Sequence, residues 1–161
     1  MRFTLALLPL ALVAVGCDSA DTSTRPDAGP AYSQTAGRPL TAALSGANEV
    51  NAAGQGGVGD PDGTGSARVK INVGQNRLCF DIDVTNVDAA RRGHIHEAPA
   101  GKNGPIVVEL FEAGAVPGDL AGCVRVERAL LREIAKTPSD YYVNVHNAAF
   151  PAGAVRGQLS K

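Results

Sequence analysis

Leu78-Cys79-Phe80-Asp81-Ile82-Asp83-Val84 alternates without a break. Leu78, Phe80, Ile82 and Val84 fall on one side, Cys79, Asp81 and Asp83 on the other. A period of two marks a half-buried strand, because successive side chains of extended backbone point to opposite faces. Residues 67–73 repeat the pattern, with Val69, Ile71 and Val73 set against Arg68, Lys70 and Asn72, and Gly74-Gln75-Asn76 between the two reads as a hairpin turn. Residues 40–44 alternate in the same way, and further strands are expected over 93–97, 105–111, 122–126, 141–147 and 154–159. Only residues 127–136 (ERALLREIAK) read as helix, with Ala129, Leu130 and Ile134 on one side and Thr137-Pro138 as the stop. Eight short strands and one helix of two to three turns argue for an all-β fold, an antiparallel Greek-key β-sandwich. The composition agrees: 19 Gly, 10 Pro and no Trp suit many strands joined by turns better than a helical bundle.

Upstream of this domain the chemistry changes. Met1-Arg2 carries a positive charge, and residues 5–15 (LALLPLALVAV) are apolar but too short to span a bilayer, with Pro9 in their midst. Ala14-Val15-Gly16-Cys17 follows, and the chain then turns polar. This arrangement resembles a lipoprotein signal, in which the cysteine is acylated and cleavage falls just ahead of it; Ala14 departs from the commoner Leu. The other reading is an ordinary signal peptide with Cys17 an incidental thiol. Two or three acyl chains at Cys17 would anchor the protein far more firmly than one. Residues 18–37 (DSADTSTRPDAGPAYSQTAG) are too poor in apolar side chains to offset their ordering entropy, and are expected to be a flexible tether. The expected organisation is therefore signal peptide 1–16, tether 17–37 after a lipidated Cys17, and one domain over 38–161, exported and held in the cell envelope. Asp18 favours inner-membrane retention in some bacteria.

Charge narrows the partners. With Arg2 lost in the signal, 14 of the 15 basic residues remain against 16 acidic ones, a net of −2. Such a chain offers no basic field for nucleic acid and no polybasic patch for anionic lipid. Membrane contact is expected through the N-terminal lipid only.

Several runs carry a resemblance. His94-Ile95-His96 followed by Gly101-Lys102-Asn103-Gly104-Pro105-Ile106-Val107-Val108 is similar to the chordin-repeat (CHRD) domain. So is the close, Tyr141-Tyr142-Val143-Asn144-Val145-His146-Asn147 through Phe150-Pro151-Ala152-Gly153-Ala154-Val155-Arg156-Gly157-Gln158-Leu159. Leu44-Ser45-Gly46-Ala47-Asn48-Glu49-Val50 and Gly59-Asp60-Pro61-Asp62-Gly63 fit the same pattern, while Asn51 and Ala98 stand where the family often has Pro and Gly. The resemblance covers about residues 38–161. It implies an immunoglobulin-like β-sandwich in extracellular proteins and no settled activity.

With Cys17 acylated, Cys79 and Cys123 remain, an even pair in an oxidising compartment. Each lies opposite its apolar strand neighbours, so the two can meet as a disulfide on the outer surface if their strands are adjacent. Free thiols are the alternative. A catalytic thiol is disfavoured, since neither cysteine has a histidine close in sequence or belongs to a CxxC pair.

The three histidines are His94, His96 and His146. On one strand, His94 and His96 project to the same face about 7 Å apart. On another, Val143 and Val145 take the core face and leave Tyr142, Asn144 and His146 outside. An H-x-H pair plus a third strand histidine is a sound nitrogen set for copper or zinc, with carbonyls or carboxylates such as Glu97 expected to orient the rings. The arrangement resembles that of the copper/zinc superoxide dismutases, Greek-key sandwiches whose metal lies outside the barrel wall. This chain lacks the further histidines a second metal would need. The alternative is a hydrogen-bonded polar cluster bracing loops 98–104 and 147–153.

Other signals are weaker. Asp60-Pro61-Asp62-Gly63-Thr64-Gly65 suggests a calcium loop, but Ile71 stands where an EF-hand needs Glu, and turn chemistry accounts for it. Asp81 and Asp83 read as a solvated strand face. No nucleophile elbow, P-loop or dinucleotide fingerprint is present in the sequence. The residues thus support a non-catalytic envelope module that binds a protein or polymer or builds the surface. Mononuclear copper or zinc binding, with redox chemistry as its one enzymatic form, is the alternative.

Overall fold

The computed structural model describes residues 39–112 and 120–161. The expected signal peptide, Cys17 and the expected tether lie outside the described residues. The elements are β1 (Leu40–Ser45), β2 (Thr64–Asn72), β3 (Arg77–Thr85), β4 (Arg92–Glu97), β5 (Ile106–Glu112), β6 (Leu120–Arg125), α1 (Arg128–Lys136), β7 (Tyr141–His146) and β8 (Val155–Gln158). Every expected strand is present within a few residues of its expected ends.

The eight strands form one antiparallel sheet in the order β5-β4-β7-β8-β1-β2-β3-β6. The sheet curls until its two edges, β5 and β6, approach each other without a ladder between them. The sandwich-like fold is therefore a nearly closed barrel. With β7 beside β4, and β5 and β6 following β4 around the wall, the chain traces a Greek key. β1 meets β8 through a single register pair, Ser45 with Arg156, and through a bridge from Thr41 to Ser160 that joins the two ends of the domain.

The alternation found in the sequence builds the core. Leu40, Ala42 and Leu44 of β1, Ala67 and Val69 of β2, and Leu78, Phe80 and Ile82 of β3 meet Ile95, Val108, Leu110, Val143, Val145 and Val155 from the facing wall. Each fully buried Val, Leu or Ile stabilises the fold by about 2 kcal/mol through area removed from water. The helix contributes Leu131 and Ile134, both 0 % exposed, whereas Ala129 points to solvent. Of the expected face, Leu130 and Ile134 pack on the core, and Leu131, three residues before Ile134, takes the place of Ala129. Asn76 takes the left-handed conformation (φ 53°) that closes the β2–β3 turn, and its side chain accepts a hydrogen bond from Arg128 at the start of α1.

Cys79 pairs with Cys123 in the β3–β6 ladder and is disulfide-bonded to it, with the Cα atoms 3.9 Å apart. The bridge lies opposite the core face, as the alternation requires.

The faces of β7 are as expected, but its outer face is not exposed. Tyr142, Asn144 and His146 were expected outside; they point away from the apolar core but are 2 %, 2 % and 9 % exposed. Loops lie over this part of the wall. Gly104 N–H approaches the Tyr142 hydroxyl, Asn144 Nδ2 donates to Glu49 Oε1, and Asp60 N–H donates to the Ala154 carbonyl. The outer face of β4, β7 and β8 is thus a second, polar interior.

Candidate metal centre

The β4–β7 register places Arg92 opposite His146, His94 opposite Asn144 and His96 opposite Tyr142. His94 and His146 are consequently diagonal neighbours on one face, the separation at which ring side chains touch. Their rings stand 4.8 Å apart between centroids, and His94 Nδ1 is 3.0 Å from His146 Nε2. His96 lies 5.6 Å from His94 between ring centroids. One ring nitrogen from each histidine falls within 4.8 Å of the others.

The surrounding carbonyls select the tautomers. His96 Nδ1 donates to the Gly104 carbonyl at 2.9 Å, and His146 Nδ1 donates to the Pro151 carbonyl at 3.1 Å. Both rings therefore turn an unprotonated Nε2 inward. Gly104 is glycine for a steric reason, since a Cβ there would run into the Glu97 carbonyl and push the loop off His96. His94 directs Nε2 at Glu109 Oε1, 3.5 Å away, and Nδ1 at His146. These contacts satisfy the hydrogen-bond bracing of loops 98–104 and 147–153, yet His94 Nε2 and His96 Nε2 remain buried without a hydrogen-bond partner. Such orphaned atoms are uncommon and call for an account. An ion supplies one for His96 Nε2, while His94 Nε2 faces the Glu109 carboxylate. With the His94 proton on Nε2 facing the Glu109 carboxylate, three lone pairs converge: His94 Nδ1, His96 Nε2 and His146 Nε2. Each ring's other nitrogen then meets an oxygen, the outer shell expected of metal-binding imidazoles. The residues fit copper or zinc.

Electrostatics favour the ligand form. Burial pushes His146 down to about 4, helped by the neighbouring His94, and burial also lowers His94 and His96. All three imidazoles are neutral at pH 7, so an ion need displace no proton from a charged ring.

Tyr142 fixes the third ring. It stacks on His96 with centroids 4.7 Å apart and planes 5° from parallel, and Arg156 Cζ sits 3.6 Å over its other face. Glu97 was expected as the orienting carboxylate, but its side chain is exposed; Glu109 takes that position. Glu109, Arg156, Glu49 and Asn144 were not singled out from the sequence. For Glu109 no local signal existed, because β5 carries register shifts on both sides of the His94–Glu109 pair.

A Greek-key β-barrel with a buried histidine cluster on its outer wall defines the class. The chain matches the CHRD domain family over residues 40–159 and belongs to that family. No curated protein and no solved structure matches it.

Proposed function

We propose that the protein is an exported, lipid-anchored, non-catalytic CHRD module of the cell envelope that holds one copper or zinc ion at His94, His96 and His146. The convergence of three ring nitrogens within 4.8 Å, two of them on rings oriented by backbone carbonyls, is the observation that carries the metal reading. The ion would be held by neutral nitrogen donors with Glu109 and the Gly104 and Pro151 carbonyls behind them. Metal analysis and calorimetric titration of untagged protein with Cu²⁺ and Zn²⁺ should find one ion per chain. His146→Ala should lose it, because the two remaining ligands share one strand. Absence of any binding tighter than about 10 µM would leave the cluster as structure.

The polar break after Gly16-Cys17 supports the anchor, and the net charge supports a module with no nucleic-acid partner. Cys17→Ser should release the protein from membranes or leave it unprocessed. Normal maturation with unchanged membrane fractionation would remove the lipid from the account.

A further inference from the structure

A cleft of about 380 Å³ opens between the loop following β1 and the β4–β5 connection, lined by Asn48, Gly54, Gly56, Gly101, Arg156 and Gln158 among others. Gly54 and Gly101 hold φ of +78° and +75°, and a Cβ on Gly101 would meet nothing within 4 Å. The walls are therefore largely bare backbone around open space.

Arg156 is the unusual member. It is 2 % exposed, a degree of burial that arginine tolerates when it is paired. The ion pairs among the described residues are those of Arg92 and His94 with Glu109 and Glu112, so no carboxylate reaches this guanidinium. Its protein partners are neutral: Nη1 donates to Asn103 Oδ1 at 2.9 Å, Nη2 donates to the Lys102 carbonyl, and Tyr142 covers one face. A guanidinium has five N–H donors, of which these bonds use two. The carboxyl whose charge it feels is Glu49, held beyond ion-pair distance. Burial pushes Glu49 up to about 7 against the pull of Arg156 and the Asn144 hydrogen bond, so its carboxyl is a weak counter-charge for the guanidinium. A buried cation with neutral partners, unspent donors and an adjoining cleft is short of one negative charge.

We propose that this cleft binds a small monoanionic carboxylate, with Arg156 as its charge partner. A carboxylate matches the planar donor edge of guanidinium. One negative charge suffices for one arginine, and Glu49 in the same polar layer disfavours a dianion. The site shares Tyr142 and loop 98–104 with the histidine cluster but does not depend on an ion being there.

The test is an NMR titration of the full-length chain with sodium acetate, against sodium chloride and inorganic phosphate at matched ionic strength. Acetate should shift the Gly54 and Gly101 amides and the Arg156 Nε–H resonance saturably, with a midpoint in the range of roughly 1–10 mM. Arg156→Gln should abolish the response, but Tyr142 and loop 98–104 lean on this side chain and the variant can misfold. Ala100→Phe is therefore the second arm. Ala100 is an exposed residue on the cleft wall, so a phenyl group there fills the space and leaves Arg156 in place. It should lose the acetate response at an unchanged melting temperature. Three results would overturn the proposal: equal shifts with chloride, no saturation with acetate, or an Ala100→Phe variant that responds like the wild type. Tighter binding of phosphate than of acetate would replace the carboxylate assignment with a dianion site.

Discussion

Replacing both bridge cysteines, Cys79→Ala with Cys123→Ala, should lower the unfolding free energy by about 4 kcal/mol, the chain-entropy value for a loop of this length. The cysteines are 44 residues apart in sequence and directly paired across β3 and β6. Those strands are the last two in the sheet order, and β6 has a ladder on only one side. Without the bridge, β6 is held by that ladder and by Leu120, its one buried apolar side chain. Urea unfolding of oxidised and cysteine-free protein measures the difference. A loss under about 1 kcal/mol would mean that the β3–β6 ladder needs no covalent support.

Stability of metal-free protein should rise less between pH 4.5 and 6.5 than its buried histidines alone would make it, because Glu49 opposes them. His146 titrates near 4 in the fold against 6.5 when unfolded, so as pH falls through this window the unfolded chain takes a proton that the fold refuses. That costs about 3 kcal/mol by pH 4. His94 and His96, lowered by burial, act in the same direction. Glu49 works the other way. Its pKa rises from 4.5 to about 7 on folding, so its contribution is complete below pH 4.5 and is lost as pH climbs through 7, again about 3 kcal/mol. Glu49→Gln keeps an acceptor for Asn144 but removes that second slope. The variant should therefore gain stability with pH between 4.5 and 6.5 more steeply than the wild type. Parallel pH profiles of the urea midpoint in the two proteins would show that Glu49 does not titrate as its burial requires.

Much of the barrel could be read from period alone. The run from Leu78 to Val84 states its own inner and outer faces, and β1, β2 and β7 do the same for their core sides. The cysteine pair was legible because both members lie opposite the apolar face of a strand and form an even pair once Cys17 is set aside. The histidines were legible as a set, His94 and His96 by their spacing and His146 by its strand. Their meeting was not, since β4 and β7 are separated in the chain by β5, β6 and α1 and become neighbours only through the Greek-key crossing. Burial of Tyr142, Asn144, His146 and Arg156 was hidden for a different reason. It depends on loops from distant parts of the chain folding over the wall, and a strand's own alternation says nothing about what covers its polar side. Glu109 was concealed by register, because an extra residue in β5 moves every later side chain to the opposite face. In the helix, Leu130 and Ile134 were read correctly, but Leu131 rather than Ala129 completes the face, a choice that only packing makes.

The bridge between Thr41 and Ser160 sets how the domain is displayed. It lies at the pole of the barrel where Leu159 N–H donates to the Tyr141 carbonyl, and His146 stands at the other end of that strand, about 16 Å further along. Pro39 therefore lies at the end of the barrel where His96 stands opposite Tyr142, and farthest from His146. The histidine cluster thus runs along the side wall of the domain, from His96 near the end where the N-terminal side enters to His146 at the far end, under a cover of loops rather than at an exposed tip.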